Sequence, residues 1–434
     1  MNENSLPVAL DIIPIENTRP KKVWSFKERL LLPAALIIAV LFDRIIASSL
    51  ISGRWWSGSF HASEAWAAFW FGYLVIFYIA YWNRIKKDPI LWFVAACTIV
   101  LCILQFILPN RTNWEYRGIT ALVIPSVLMA HAQWAANAFT LKNHAGMAFA
   151  WLLGWLIKPF TGWGAFFGAF AEVLAHGNKP MVKRVLLGGG VAAVMLAVIL
   201  PLLMSADQVF SYLISRTFTI GGGSVFTFIF HGIVICLAFA FFYSFLWNVG
   251  YGKNEIYTMT IKSTIDKIIS VIALGSVISV YVMFCIVQFT FLFARAGLPA
   301  GMTYAEYARQ GFAQTVVVCA LNLLIFGIFL RFGVGDKLMK MLLIGLLVLT
   351  GIMLFSGGVR LWLYIDAFGM TWLRLISAWF ILYIAAVIAL CCTKLLFKKQ
   401  LPIIALGALL LLIWYVALGL LNPDGFINWY NFQR

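Results

Sequence analysis

Eleven runs of about twenty predominantly apolar residues constrain this chain more than any other feature. Each is long enough to cross roughly 30 Å of hydrocarbon as an α-helix. The runs are Leu30–Ile51, Ala65–Trp82, Ile90–Leu108, Gly118–Phe139, Val185–Met204, Val225–Trp247, Ile268–Phe293, Phe312–Arg331, Met341–Gly357, Leu375–Thr393 and Leu401–Leu421. Transmembrane β-strands are about half as long and alternate in polarity; Leu343–Leu354 and Ile403–Tyr415 show no alternation. The chain is 63% hydrophobic and 11% charged, against about 45–50% and 25% in soluble domains. No soluble fold of 434 residues could hide that surface. The sequence predicts an all-α fold, a polytopic helical membrane protein of about 11 transmembrane helices.

Residues 1–29 read as a cytoplasmic N-terminal tail with a basic end at Arg19, Lys21, Lys22, Lys27 and Arg29, and 30–434 as a single helical transmembrane domain. The first run is too long for a secretion signal and lacks a small-residue cleavage site, so it reads as a retained helix.

The formal net charge of +16 invites a nucleic-acid reading, but its distribution opposes one. With the N-terminus inside and eleven spans alternating, 22 of the 32 Lys and Arg fall on inner segments, including all 17 lysines. The nine on outer segments are all arginine, and Arg44 lies within the first span. Such asymmetry is the positive-inside signature. It predicts a multi-pass plasma-membrane protein with a cytoplasmic N-terminus and an external C-terminus. Membrane lipids, whose anionic headgroups attract inner-face basic segments, are the expected partners, and nucleic acid is not. The seven cysteines all fall within proposed spans and no CxxC occurs, so neither a disulfide framework nor a metal site is expected.

The stretch 145–176 does not fit the ladder. Lys158-Pro159, Gly162 and Gly164 split it into Met147–Ile157 and Trp163–Ala175, each too short to cross. It is either a pair of interfacial helices or a re-entrant segment lining a cavity, where broken backbone is tolerated. Gly164 and Gly168, four apart, suit a close helix approach.

Asp43-Arg44 within the first span is the sharpest anomaly, because an unpaired charge in hydrocarbon costs several kcal/mol. Adjacent residues on a helix do not face one another, so each needs its own partner. Asp43, Arg44, His131, His231, Gln288 and Asn322 are candidates for an intramembrane polar path. A histidine–aspartate relay would suit proton coupling. Singly, such a residue is more often a structural interhelical hydrogen bond.

The outer segments carry the recognisable motifs. Ser205–Gln208 and Thr303–Glu306 fit capping boxes, placing an amphipathic helix at Asp207–Phe218 and the start of the eighth helix near Tyr304. Pro423-Asp424-Gly425 reads as a turn. The run Tyr281–Phe312, with its TYAEYARQGF block, resembles a family of bacterial multi-spanning membrane proteins catalogued only as a domain of unknown function. Ser205–Phe210, Arg360–Arg374 and Asn422–Arg434 are similar to further blocks of it. The resemblance covers 185–434 and implies an integral protein of the bacterial plasma membrane, with no established activity.

On the proposed topology these blocks converge outside. Arg295, Glu306, Tyr307, Arg309, Arg360, Asp366 and Arg374 form a candidate cap for a lipid or small anionic ligand, since arginine recognises phosphate and carboxylate in two-point fashion. The same residues could equally brace loops by ion pairs. The leading expectation is transport or handling of such a ligand through an outward-facing Arg/Tyr pocket, without a cofactor. The alternatives are a non-catalytic membrane scaffold or envelope-stress partner, and a membrane-embedded transferase acting on a lipid-linked substrate. The last is the weakest, because no nucleophile–base pair is legible in the spacing.

Overall fold

The computed structural model describes residues 11–13, 26–47, 61–82, 88–108, 113–136, 144–174, 219–220, 223–252, 256–258, 265–292, 312–332, 336–397 and 401–433, with isolated positions between 188 and 203. The chain divides into two compact units, Asp11–Met259 and Thr260–Arg434.

The first unit opens with strand β1 (Asp11–Ile13) and helix α1 (Phe26–Phe42), which continues as a π-turn, Asp43–Ala47. Then follow α2 (His61–Tyr81), α3 (Pro89–Ile107) and α4 (Trp114–Ala135). A broken segment comes next: α5 (His144–Leu156), α6 (Lys158–Thr161) and α7 (Trp163–Leu174). Strands β2 (Thr219–Ile220) and β3 (Gly223–Ser224) pair antiparallel ahead of α8 (Val225–Tyr251). Strand β4 (Ile256–Thr258) closes the unit by pairing antiparallel with β1, Asp11 opposite Thr258. Helices α1 and α8 are neighbours. The strand pairing joins one end of that helix pair and an Asp43–His231 contact joins the other, so the two helices run antiparallel.

Local chemistry sets the helix starts. The Asp88 carboxylate accepts the Ile90 N–H at 3.0 Å and Pro89 fills the first position of α3, where its missing N–H has no cost. In the broken segment, Lys158-Pro159 and Gly162 interrupt the helix where the sequence predicts. The half that follows does not lie apart from the bundle. Gly162 meets Ser244, Phe166 meets Phe239 and Tyr243, and Phe170 meets Phe239. Helix α7 therefore climbs along α8 from near its C-terminal end toward its middle. Its close approach is at Gly162 rather than Gly164, around which a Cβ would meet nothing within 4 Å.

The second unit holds α9 (Lys267–Leu292), α10 (Phe312–Phe332), α11 (Lys337–Phe368), α12 (Trp372–Leu396), α13 (Ile403–Leu420) and α14 (Pro423–Phe432). Helices α9, α10 and α12 pack on α11 around a core that includes Leu274, Phe326, Leu343, Leu346, Leu354 and Ile384. The α12–α13 contact is fastened reciprocally: each of Trp379 and Trp414 donates its indole N–H to the other's carbonyl, at 3.0 and 2.6 Å.

Two expectations are corrected here. The ninth run does not stop at Gly357. Its helix has 32 residues, about 48 Å at 1.5 Å per residue, so Arg360, Tyr364 and Asp366 ride on helix rather than loop. Asn422-Pro423-Asp424-Gly425 is not a free turn either. Asn422 takes the left-handed conformation at φ 52° and Pro423 starts α14, its fixed φ suiting the first helical position.

Among the described residues nine helices are long and apolar enough to cross a membrane. They correspond to every predicted run except the first and the fifth. The first is α1 with its π-turn, and the fifth, Val185–Met204, lies outside the described residues apart from isolated helical positions. The predicted surface helix Asp207–Phe218 and the helix start near Tyr304 also lie outside them. Large apolar side chains such as Ile79, Leu122, Leu324 and Phe355 are exposed on these helices, while Thr98, Thr120, Asn322 and Thr350 are buried between them. That inversion fits a hydrocarbon surround. Of the seven free cysteines, Cys236 is exposed, Cys392 is intermediate and the rest are buried.

Candidate functional site

The antiparallel packing of α1 on α8 brings together two residues 188 positions apart. His231 Nδ1 lies 2.7 Å from Asp43 Oδ1. The Asp43 side chain is 0% exposed and that of His231 23% exposed, so the pair has a closed end and an open end. Asp43 begins the π-turn, a widened helical geometry that recurs at functional positions. Its second oxygen, Oδ2, is buried and has no hydrogen-bond partner among the described residues. Arg44, the next residue, is exposed, consistent with neighbours on a helix pointing apart.

The remaining members of the predicted path are held elsewhere. His131 Nε2 lies 2.9 Å from the Tyr78 hydroxyl. In the second unit, the Asn322 side chain accepts from the Tyr281 hydroxyl at 2.7 Å and donates to Thr350 Oγ1 at 3.0 Å. The Gln288 side chain lies outside the described residues. Among the described residues, Asp43 and His231 are the members of the path that the structure brings into contact.

Two further polar centres lie in the first unit. At the helix break, Lys158 Nζ donates to Gln133 Oε1 at 2.6 Å. Asn248 Nδ2 donates to the Lys158 carbonyl at 2.6 Å and the Gly162 N–H donates to Ser244 Oγ at 2.9 Å, so α8 satisfies the backbone groups that the break sets free. Ser244 and Asn248, four apart on an otherwise apolar run, were the available signal. Beside the break, Trp70, Tyr73, Met129, Trp155, Pro159 and Phe242 line an apolar cavity of about 40 Å³, sized for water rather than substrate. At the opposite end of α4, the buried Arg117 donates to Ser63 Oγ and, at 2.9 Å, to the Leu108 carbonyl, with Glu64 at 3.7 Å.

Of the predicted outer cap, Arg295, Glu306, Tyr307 and Arg309 lie outside the described residues. Arg360 is buried on α11 and Asp366 is exposed near the helix end. Arg374 sits over the Tyr364 ring, 4.1 Å from its centroid, and donates to the carbonyls of Phe368, at 2.9 Å, and Gly369. It thereby caps α11 and fixes the α11–α12 turn. Asn431 reinforces the same turn, accepting from the Met370 N–H at 2.7 Å and donating to the Met370 carbonyl at 2.9 Å.

Outside the spanning segments, Asp336 shows how α11 begins. Its carboxylate caps the helix through the Met339 N–H at 2.8 Å and pairs with Lys267 at 2.6 Å. Hydrogen bonding by Lys267 first, then by the Met339 N–H, holds its pKa below the ordinary 3.8.

Helices of spanning length, with large apolar side chains exposed on their outer faces and a few polar groups buried between them, define an integral, multi-pass helical membrane protein. Residues 110–434 match the family described as Domain of unknown function (DUF4153), and the chain belongs to that family. The match begins just before α4, well upstream of Val185. No curated protein and no solved structure matches the chain.

Proposed function

We propose that this protein transports or handles a lipid or small anionic substrate in the bacterial plasma membrane, with its N-terminus cytoplasmic and its C-terminus outside. The Asp43–His231 pair carries the reading. Ionisable groups inside a helical membrane protein are costly and mark ion or substrate pathways; here one is fully buried and its partner is open to the surroundings. The helix break at Lys158–Gly162, packed on α8, strengthens it, since transporters build their sites at broken helices. The β1–β4 pairing supports the orientation, because it holds the N-terminal tail beside a loop that the charge ladder also assigns to the inner face.

The test uses the full-length protein in lipid nanodiscs, screened by melting temperature against inorganic phosphate, glycerol phosphate, acetate and phosphatidylglycerol. The stabilising compound is then followed in radiolabelled exchange across proteoliposomes. Exchange by the wild type that stops in Asp43→Asn, with the variant still inserted, is the expected result. Exchange that persists in Asp43→Asn, or no exchange of any of the four, overturns the reading. A second reading, a non-catalytic scaffold, is favoured by the bracing roles of Arg374 and Asn431; under it the substitutions lower abundance and nothing else.

A further inference from the structure

We infer that Asp43 and His231 together form a binding site for one exchangeable proton, with the imidazole as its entrance. This deepens the transport reading by naming the coupling ion and rests on that reading only for its consequence. The geometry states the problem the proton solves. Asp43 Oδ1 has His231 at 2.7 Å, while Oδ2 is buried with no hydrogen-bond partner among the described residues. A carboxylate oxygen without a partner in a low-dielectric interior is expensive. With one proton beyond the shared Nδ1 hydrogen, on His231 Nε2 or on Asp43 Oδ2, the pair carries no net charge. Without it the pair carries one negative charge.

The elements packed on the pair bring few other titratable or charged residues. The π-turn packs against α1, α2 and α8. On the turn the further charged group is Arg44, which is exposed. On α2 they are His61 at its first position, Glu64, engaged by Arg117 at 3.7 Å, and Tyr73, Tyr78 and Tyr81, which lie two or more turns further along that helix than Glu64. On α8 they are Cys236, one and a half turns beyond His231, and Tyr243 and Tyr251, three turns or more beyond it; on α1 they are Lys27, Glu28 and Arg29, about four turns before Asp43. Because Asp43 is 0% and His231 23% exposed, a proton enters and leaves through the imidazole and passes between the two by the existing contact. No bond other than N–H or O–H forms or breaks.

The test is acid-induced difference infrared spectroscopy of the full-length protein in lipid nanodiscs, from about pH 4 to about pH 9 to bracket histidine and carboxylate. The wild type should show carboxyl or imidazolium bands that titrate together and vanish in Asp43→Asn. In His231→Gln, whose amide keeps a donor toward Oδ1, the Asp43 carboxyl band should persist with its midpoint moved by about one pH unit or more. Wild-type spectra reproduced by both variants overturn the proton site. If Asp43→Asn does not accumulate, an unmoved midpoint in His231→Gln does so alone. Solute exchange without these bands refutes the proton site and leaves the transport reading standing. The bands without exchange of any solute do the reverse.

Discussion

Gly162 and Gly164 stand two residues apart, and the structure assigns alanine substitutions there opposite signs. At Gly162 a Cβ would lie 2.6 Å from Ser244 Oγ and 2.9 Å from the Ser244 carbonyl oxygen. The carbonyl belongs to helix α8 and cannot swing aside. Relief must come from separating the break from α8, which also lengthens the 2.9 Å bond from the Gly162 N–H to Ser244 Oγ. Overpacking costs about 1–3 kcal/mol and an unpaired buried N–H about 1–3 kcal/mol. The two overlap, because the same displacement relieves one and causes the other, so Gly162→Ala should destabilise by about 2–4 kcal/mol. At Gly164 a Cβ meets nothing within 4 Å. Alanine there reduces the freedom of the unfolded chain, so the change should be neutral or stabilising by up to about 1 kcal/mol. Equilibrium unfolding in mixed detergent micelles, followed by tryptophan fluorescence, measures both. A Gly162→Ala variant within about 0.5 kcal/mol of wild type, or a Gly164→Ala variant that is the less stable of the two, would refute the docking of the break against α8.

Three further outcomes are expected. Asn431→Ala removes both hydrogen bonds to Met370 and should cost about 1–3 kcal/mol, with hydrogen exchange at the Met370 amide accelerated; unchanged exchange there would contradict the clamp. Arg374→Gln loses the contact with Tyr364 and the bonds to the turn carbonyls and should cost about 1–2 kcal/mol, measured by the same unfolding assay. Asp336 titrates below 3.8 when folded, so its contribution is fully present above the unfolded pKa and is lost as pH falls through the folded one. Asp336→Asn should therefore lower the melting temperature near neutral pH, and its difference from wild type should shrink below about pH 4; a gap that widens in acid would reverse the assigned sign.

Helix positions were legible because lipid leaves the backbone no alternative to internal hydrogen bonding, so apolar length alone locates a span. The break was legible for the complementary reason: proline and glycine at Lys158-Pro159 and Gly162 interrupt the pattern. Helix α11 passed through Ser356-Gly357-Gly358 because apolar packing on α12 and the same backbone demand outweigh the weak helix propensity of glycine. Asp43 was conspicuous as a carboxylate in an apolar run, but nothing in the sequence names its partner. His231 is 188 residues away, and no periodicity connects two helices separated by so much chain. Arg374 was legible as an arginine near the membrane surface, whereas its commitment to Tyr364 and the turn depends on where α11 ends.

The pairing of β1 with β4 joins the first and last described elements of the Asp11–Met259 unit. During synthesis β1 emerges early, and its partner follows roughly 250 residues later. At about 5–20 residues per second, the N-terminal strand waits on the order of ten to fifty seconds for the strand that completes it. Everything between, from α1 to α8, must already have left the ribosome. The two strands are therefore the clasp of this unit, closed last.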